Sequence, residues 1–158
     1  MTEKDANPHK TVATNRKAWH DYEILERVEA GIVLVGSEVK SLREGHATLM
    51  DSFARIEEGE MFAHNVYIPE YSHGGSFNHE PVHRRKLLLH RTEIERLEAK
   101  VAEKGFTLIP LSIYFRRGLA KVEIGLCRGK REYEKREDIK KKDAQREMEQ
   151  ALRGRRIS

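Results

Sequence analysis

FTLIPLSIYFRRGLAKVEIGL, residues 106–126, decides the fold class. Phe106–Phe115 and Leu119–Leu126 are apolar, β-branched runs parted by Arg116-Arg117-Gly118, which reads as a hairpin. Working outward, Ser52–Ile56 and Met61–Ile68 flank Glu57-Glu58-Gly59-Glu60 with the same signature. Further upstream, Tyr22, Ile24, Leu25 and Val28 suit a strand over about 22–29. Ala30-Gly31 reads as a turn or bulge. Ile32-Val33-Leu34-Val35-Gly36 is a continuous apolar strand, buried on both sides or closing a barrel.

Helices are few. Ser37–Glu44 suits a short one, with Ser37 as N-cap and Gly45 as its stop. Thr92-x-x-Glu95 fits a capping box, Ile94, Leu97 and Val101 recur at helical spacing, and Gly105 ends the run. Residues 69–82 (PEYSHGGSFNHEPV) read as a long surface loop. Residues 1–14 lack periodicity and read as a flexible leader. The expected body, 15–127, is mainly β with short helices: a small closed OB-like antiparallel barrel with one helix plugging an end.

Charge is unevenly spread over the 158 residues. Lys and Arg number 30 against 26 Asp and Glu, a net of +4. Residues 128–158 hold 12 cations and 7 anions, a net of +5, which leaves 1–127 at −1. A near-neutral body thus carries a basic arm. One cysteine, Cys127, excludes an internal disulfide and favours a reducing compartment; it suits a buried strand-end thiol. No apolar run approaches the roughly 18 residues of a membrane span, and Met1–Lys17 does not resemble a secretory signal. The expectation is a cytoplasmic protein with no membrane association.

The arm, 128–158, has too few apolar side chains for a core, although Ala144, Met148, Ala151 and Leu152 fall at i, i+4, i+7 and i+8. Glu137–Lys141, Asp138–Lys142 and Glu149–Arg153 are opposite charges four apart, each worth about 0.2–0.5 kcal/mol in a helix. Nucleation is costly without packing, so the expected arm is disordered when free and helical once a polyanion neutralises it. A solvated end with no role fits the same composition.

Catalytic signals are absent. There is no Gly-rich phosphate loop of the Walker or dinucleotide type, and Cys127 has no spaced His or carboxylate partner. A metal-dependent hydrolase would have to use His73, His79 and His83, which read better as loop histidines. The expectation is no enzyme, no catalytic residue, no cofactor and no metal. RNA binding fits better, because Lys40 and Arg43 lie three apart on the short helix and Arg84-Arg85-Lys86 forms a basic cluster. His90 could stack on or bond to a base. The alternatives are an exposed charged rim, or a structural ribosome-associated protein with a basic extension.

These residues fall in ordered motifs: Asn15-Arg16-Lys17-Ala18; Tyr22-x-Ile24 leading to Glu29-Ala30-Gly31-Ile32; Leu34-x-Gly36-x-Glu38-Val39-Lys40-Ser41-Leu42-Arg43; Arg85-Lys86-Leu87-Leu88-Leu89-His90; and Gly129-Lys130-Arg131-x-Tyr133-Glu134-Lys135-Arg136. The chain resembles the SsrA-binding protein family, the small protein B of bacterial trans-translation, from Asn15 to about Lys140. The resemblance implies an OB-type barrel that binds the tRNA-like domain of transfer-messenger RNA (tmRNA) and delivers it to stalled ribosomes. Glu29, Leu88 and His90 match positions that the family uses for RNA binding. Asn15, Arg16, Lys17, Lys40, Ser41, Arg43, Arg85 and Lys86 fall in the neighbouring motifs.

The resemblance further implies that the tail enters the empty mRNA channel near the decoding centre and becomes helical there. Gly129, Lys130, Arg131, Tyr133, Lys135 and Arg136 match the positions for this step, with Lys140 at the end of the match. Elongation factor Tu would be an indirect partner through alanyl-tmRNA. The chain departs from the family pattern in carrying His83 where an Arg is frequent. It also carries Glu134, after Tyr133, where Asp commonly precedes Lys-Arg.

Overall fold

The computed structural model describes residues 10–130 and 132–157, with side chains 132–134 and 154–157 left out of the description. The chain divides after Arg128 into a body and a second unit. In the body, β1 (Lys10–Thr14), α1 (Arg16–Asp21), β2 (Tyr22–Ile32), α2 (Gly36–Arg43), β3 (Phe53–Glu57) and β4 (Glu60–His64) come first. They are followed by β5 (Arg85–Leu88), α3 (Arg91–Lys104), β6 (Thr107–Arg116) and β7 (Leu119–Gly129). The second unit contains α4 (Glu132–Ile157).

The strands run β1-β6-β3-β4-β5-β2-β7, and β7 pairs back onto β6. Six strands, β2–β7, therefore close a ring, and β1 lies beside β6. Both expected hairpins form. Glu58-Gly59 has φ of 51° and 79°, and Arg117-Gly118 has 53° and 80°. Two left-handed residues in a two-residue loop make the turn that matches strand twist, which is why the second position is glycine in both.

Strand β6 has three neighbours because it bends. Its register against β7 shifts between Pro110 and Ser112. One edge faces β7 throughout; the other meets β3 at Leu108 and β1 from Ser112 to Phe115. A proline lacks the N–H that a continuous ladder needs, so the bulge falls where the edge changes partners. Inside the ring, Leu42, Met61, Ala63, Leu87, Ile113, Val122 and Ile124 are buried. Leu97 of α3 joins the same core, while Ala18, Ile109, Leu111 and Cys127 form a smaller cluster beneath α1.

Several expectations are corrected. The leader assigned to 1–14 ends in a strand, because β1 finds the edge that β6 exposes beyond its bulge; residues 1–9 lie outside the described part. The turn expected at Ala30-Gly31 is continuous β2, with Gly31 paired to Leu88. The strand expected over 32–36 stops at Ile32, although the Val33 N–H still bonds the Lys86 carbonyl at 2.9 Å. Val33 and Val35 are exposed rather than buried.

Helix α2 is capped at Val35 rather than Ser37, because the Glu38 carboxylate reaches back to the Val35 N–H at 3.0 Å. Helix α3 starts after His90, two residues before the Thr92 cap that the spacing suggested, and it ends at Gly105 with φ 68°. Helix α1 was not foreseen. Asn15 caps it by accepting the Ala18 N–H at 3.1 Å. The tail, expected to be disordered when free and helical on a polyanion, is the 26-residue α4. Its charges alternate at i,i+4 spacing and Lys130 pairs with Asp138, so local electrostatics favour helix even though the described side chains beyond Asp138 are exposed.

Candidate RNA interface

Glu29, Leu88 and His90 come together through the β2–β5 ladder. Gly31 pairs with Leu88 and Ile32 with Leu87. Side chains alternate along a strand, so Ala30, Ile32 and Leu87 point into the core while Glu29, Gly31 and Leu88 share the outer face. His90, two residues past Leu88, is exposed at the start of α3. Leu88 is 52% exposed, a large apolar side chain left uncovered beside a glycine.

Glu29 is held in place. Its carboxylate accepts the Tyr114 hydroxyl at 2.5 Å and the Arg116 guanidinium at 3.1 Å. Partial burial raises its pKa, but the Tyr114 and Arg116 hydrogen bonds outweigh that and hold it below the usual carboxylate range. Burial and the Glu29 charge push the Tyr114 phenol well above its ordinary value. Glu29 therefore presents a fixed anion with lone pairs to spare, fit to accept a base amino group or a ribose hydroxyl rather than to meet phosphate. Tyr114 and Arg116 were not singled out in the sequence. The only trace was a phenol and a guanidinium in an otherwise apolar run.

The candidates from the neighbouring motifs separate into two groups. Arg16, Lys17, Lys40 and Arg43 are exposed. Lys17 pairs with Asp51 at 2.9 Å, Lys40 lies 5.6 Å from the Tyr71 ring centroid and Arg43 lies 5.9 Å from that of Phe115. Lys86 is half-buried and pairs with Glu60 at 3.0 Å.

The others point inward. Asn15 is buried, donating to the carbonyls of Leu49 and Pro110. Ser41 is buried and donates to the Pro69 carbonyl at 2.8 Å. Arg85 is fully buried against Glu38 at 2.5 Å, with its other nitrogens on the carbonyls of Val66, His83 and Pro81. These three side chains build the scaffold under the surface rather than the surface itself.

The histidines do not converge. Both ring nitrogens of His79 are engaged, by the Ser37 hydroxyl and the Ile68 carbonyl, while His83 bonds Glu38 at 2.9 Å. His73 sits edge-on to Tyr71. Among the described residues no three His, Cys, Asp or Glu side chains are arranged to hold a metal ion. Burial raises the pKa of Cys127 to about 12, so it is not a reactive thiolate. No helix among the described residues is long and apolar enough to cross a membrane.

In α4, Lys140 is exposed and Lys135 half-buried, and the Lys130 ammonium meets Asp138. Gly129 ends β7. Arg131 lies outside the described residues, as does the side chain of Tyr133.

Fold and surface together define a small ring of antiparallel strands with an ordered polar and apolar face, followed by a separate basic helix. The chain belongs to the SmpB protein family, whose model matches residues 12–154. It is 62% identical to the SsrA-binding protein of Thermobifida fusca over 93% of this chain and 92% of the relative. It is 58% identical to that of Geobacter metallireducens, over 92% and 95%. A solved structure described as "tmRNA-SmpB: a journey to the center of the bacterial ribosome" matches with a TM-score of 0.65 and 54% identity, covering 79% of this chain and 86% of the other.

Proposed function

We propose that this protein binds the tRNA-like domain of tmRNA, delivers it to stalled ribosomes and is not an enzyme. The observation that carries this reading is the shared outer face of Glu29, Leu88 and His90, with Glu29 fixed by Tyr114 and Arg116. An oriented acceptor, an exposed apolar contact and a histidine can read bases, while Arg16, Lys17, Lys40, Arg43 and Lys86 supply phosphate contacts. Asn15, Ser41 and Arg85 act beneath the interface by positioning its elements. The ring is the OB-type barrel of this function, and the names of its relatives support the partner.

The tail has a separate task. Gly129, Lys130, Arg131, Tyr133, Lys135, Arg136 and Lys140 engage the vacant mRNA channel and decoding centre, where phosphates stabilise the helix. A channel filled with message would exclude it. Elongation factor Tu takes part indirectly through alanyl-tmRNA, and the site of action is the cytoplasm.

Affinity purification of the full chain followed by identification of bound RNA tests the proposal. Stoichiometric tmRNA is the expected result. Association with ribosomal subunits in cells lacking tmRNA, with no tmRNA bound when it is present, would replace the proposal with a structural ribosomal role.

A further inference from the structure

Residues 71–78 form a loop whose shape is closed by one side chain. The Asn78 amide donates to the Tyr71 carbonyl and accepts the Tyr71 N–H, both at 2.8 Å. Gly74 lies against that amide so closely that a Cβ there would stand 2.5 Å from Asn78 Nδ2. Next along the chain, buried His79 roots the loop between Ser37 of α2 and the Ile68 carbonyl. Directly before Asn78 in this loop, Phe77 is 91% exposed. Folding gains almost nothing from a phenyl ring left in water, yet the backbone presenting it is tied down on both sides.

The surroundings indicate what the ring meets. Tyr71, at the root of the loop, lies under the Lys40 ammonium and against His73. Between Glu70 and Glu80 the loop contains no carboxylate. Small residues, aromatic rings and one cation suit close approach of a nucleic-acid backbone and stacking of a base. Resting on the RNA-binding reading above, we propose that Phe77 is a preorganised stacking platform for an unpaired base of the bound RNA, with Lys40 beside the adjoining phosphate. The closed loop lowers the ordering cost of binding, which is the use of Asn78 and Gly74.

The test uses the full chain and the tRNA-like domain of tmRNA transcribed in vitro. Phe77→Ala should weaken binding about tenfold, within the range for loss of one stacked base. Phe77→Trp should restore it, and RNA should quench fluorescence beyond that of wild type, whose single tryptophan is Trp19. Asn78→Ala should also weaken binding; unchanged affinity there would overturn the preorganised loop.

Wild-type affinity in Phe77→Ala while His90→Ala loses binding would overturn the stacking platform and leave the functional reading standing. Loss of ribosome association with unchanged RNA affinity would assign Phe77 to a ribosomal partner and likewise overturn it. No binding by wild type would remove both. Because Phe77 is exposed, Phe77→Ala and Phe77→Trp should keep the wild-type unfolding transition.

Discussion

Glu38 is the residue on which the body's polar interior turns. It is fully buried, capping α2 through Val35 and binding Arg85 and His83 with its other oxygen. Burial alone would raise its pKa, but the Val35 N–H, Arg85 and His83 together lower it. Removing one partner of a buried pair strands the other charge, so Glu38→Gln should cost about 3–5 kcal/mol in urea unfolding. The pH dependence has a definite sign. A carboxylate with a depressed folded pKa contributes stability above the unfolded value, 4.5, and loses it as pH falls through the folded value. Denaturation midpoints should therefore drop on acidification below that point, and less steeply in Glu38→Gln.

Tyr114 offers a gentler test at the same scale. Tyr114→Phe deletes the hydroxyl that orients Glu29 and should cost about 1 kcal/mol of stability. Its effect on RNA affinity should exceed its effect on fold, since Glu29 keeps its charge and Arg116 but loses its fixed direction. Equal affinity for the tRNA-like domain in a filter-binding assay would remove Tyr114 from the site. Neither partner of Glu29 was legible in the sequence, because both are 85 or more residues away along the chain.

Among elements, α4 stands apart. Its exposed Ile139, Met148 and Leu152 bury little, so its stability rests on the Lys130–Asp138 pair and on the opposite charges that the sequence spaces four apart. Such pairs are screened by salt. Far-UV circular dichroism should show helix loss on warming before the body unfolds, and earlier still in about 1 M salt. The body should keep its near-UV signal through that first step. Coincident transitions would show α4 to be stabilised by packing instead. The sequence carried the pairs but suggested disorder, because helix propensity, pairing and nucleation nearly cancel in a segment without a core.

The other elements show which local signals suffice. Both hairpins were legible because their turns are short and demand positive φ, a requirement met within four residues. Helix α3 was legible from its apolar spacing, whereas its start was not: Thr92-x-x-Glu95 matched a cap that the chain places at His90. Strand β1 was missed for a non-local reason. It has little apolar pattern of its own and exists because the bulge near Pro110 frees an edge of β6.

At the scale of the whole molecule, the proposed function assigns the two sides of the uneven charge different tasks. Truncation after Arg128 removes the unit carrying the basic excess. Binding to isolated tmRNA should persist while peptide tagging on stalled ribosomes is lost. Loss of RNA binding on truncation would refute the division. Neutralising Lys40 should flatten the salt dependence of binding by about one unit of slope, the mark of a phosphate contact.

By itself the sequence determined the hairpins, the all-but-neutral body with its basic extension, and the motifs that identify the family. All three are properties of near neighbours in the chain or of composition. Tertiary structure alone decided which charges are available. Arg85 and Lys86 are adjacent and equally basic in sequence, yet strand alternation turns Arg85 inward onto Glu38 and leaves Lys86 on the outer side. Ring closure likewise brings Tyr114 and Arg116 to Glu29, because burial and partnership depend on strands that meet only when the whole chain has folded.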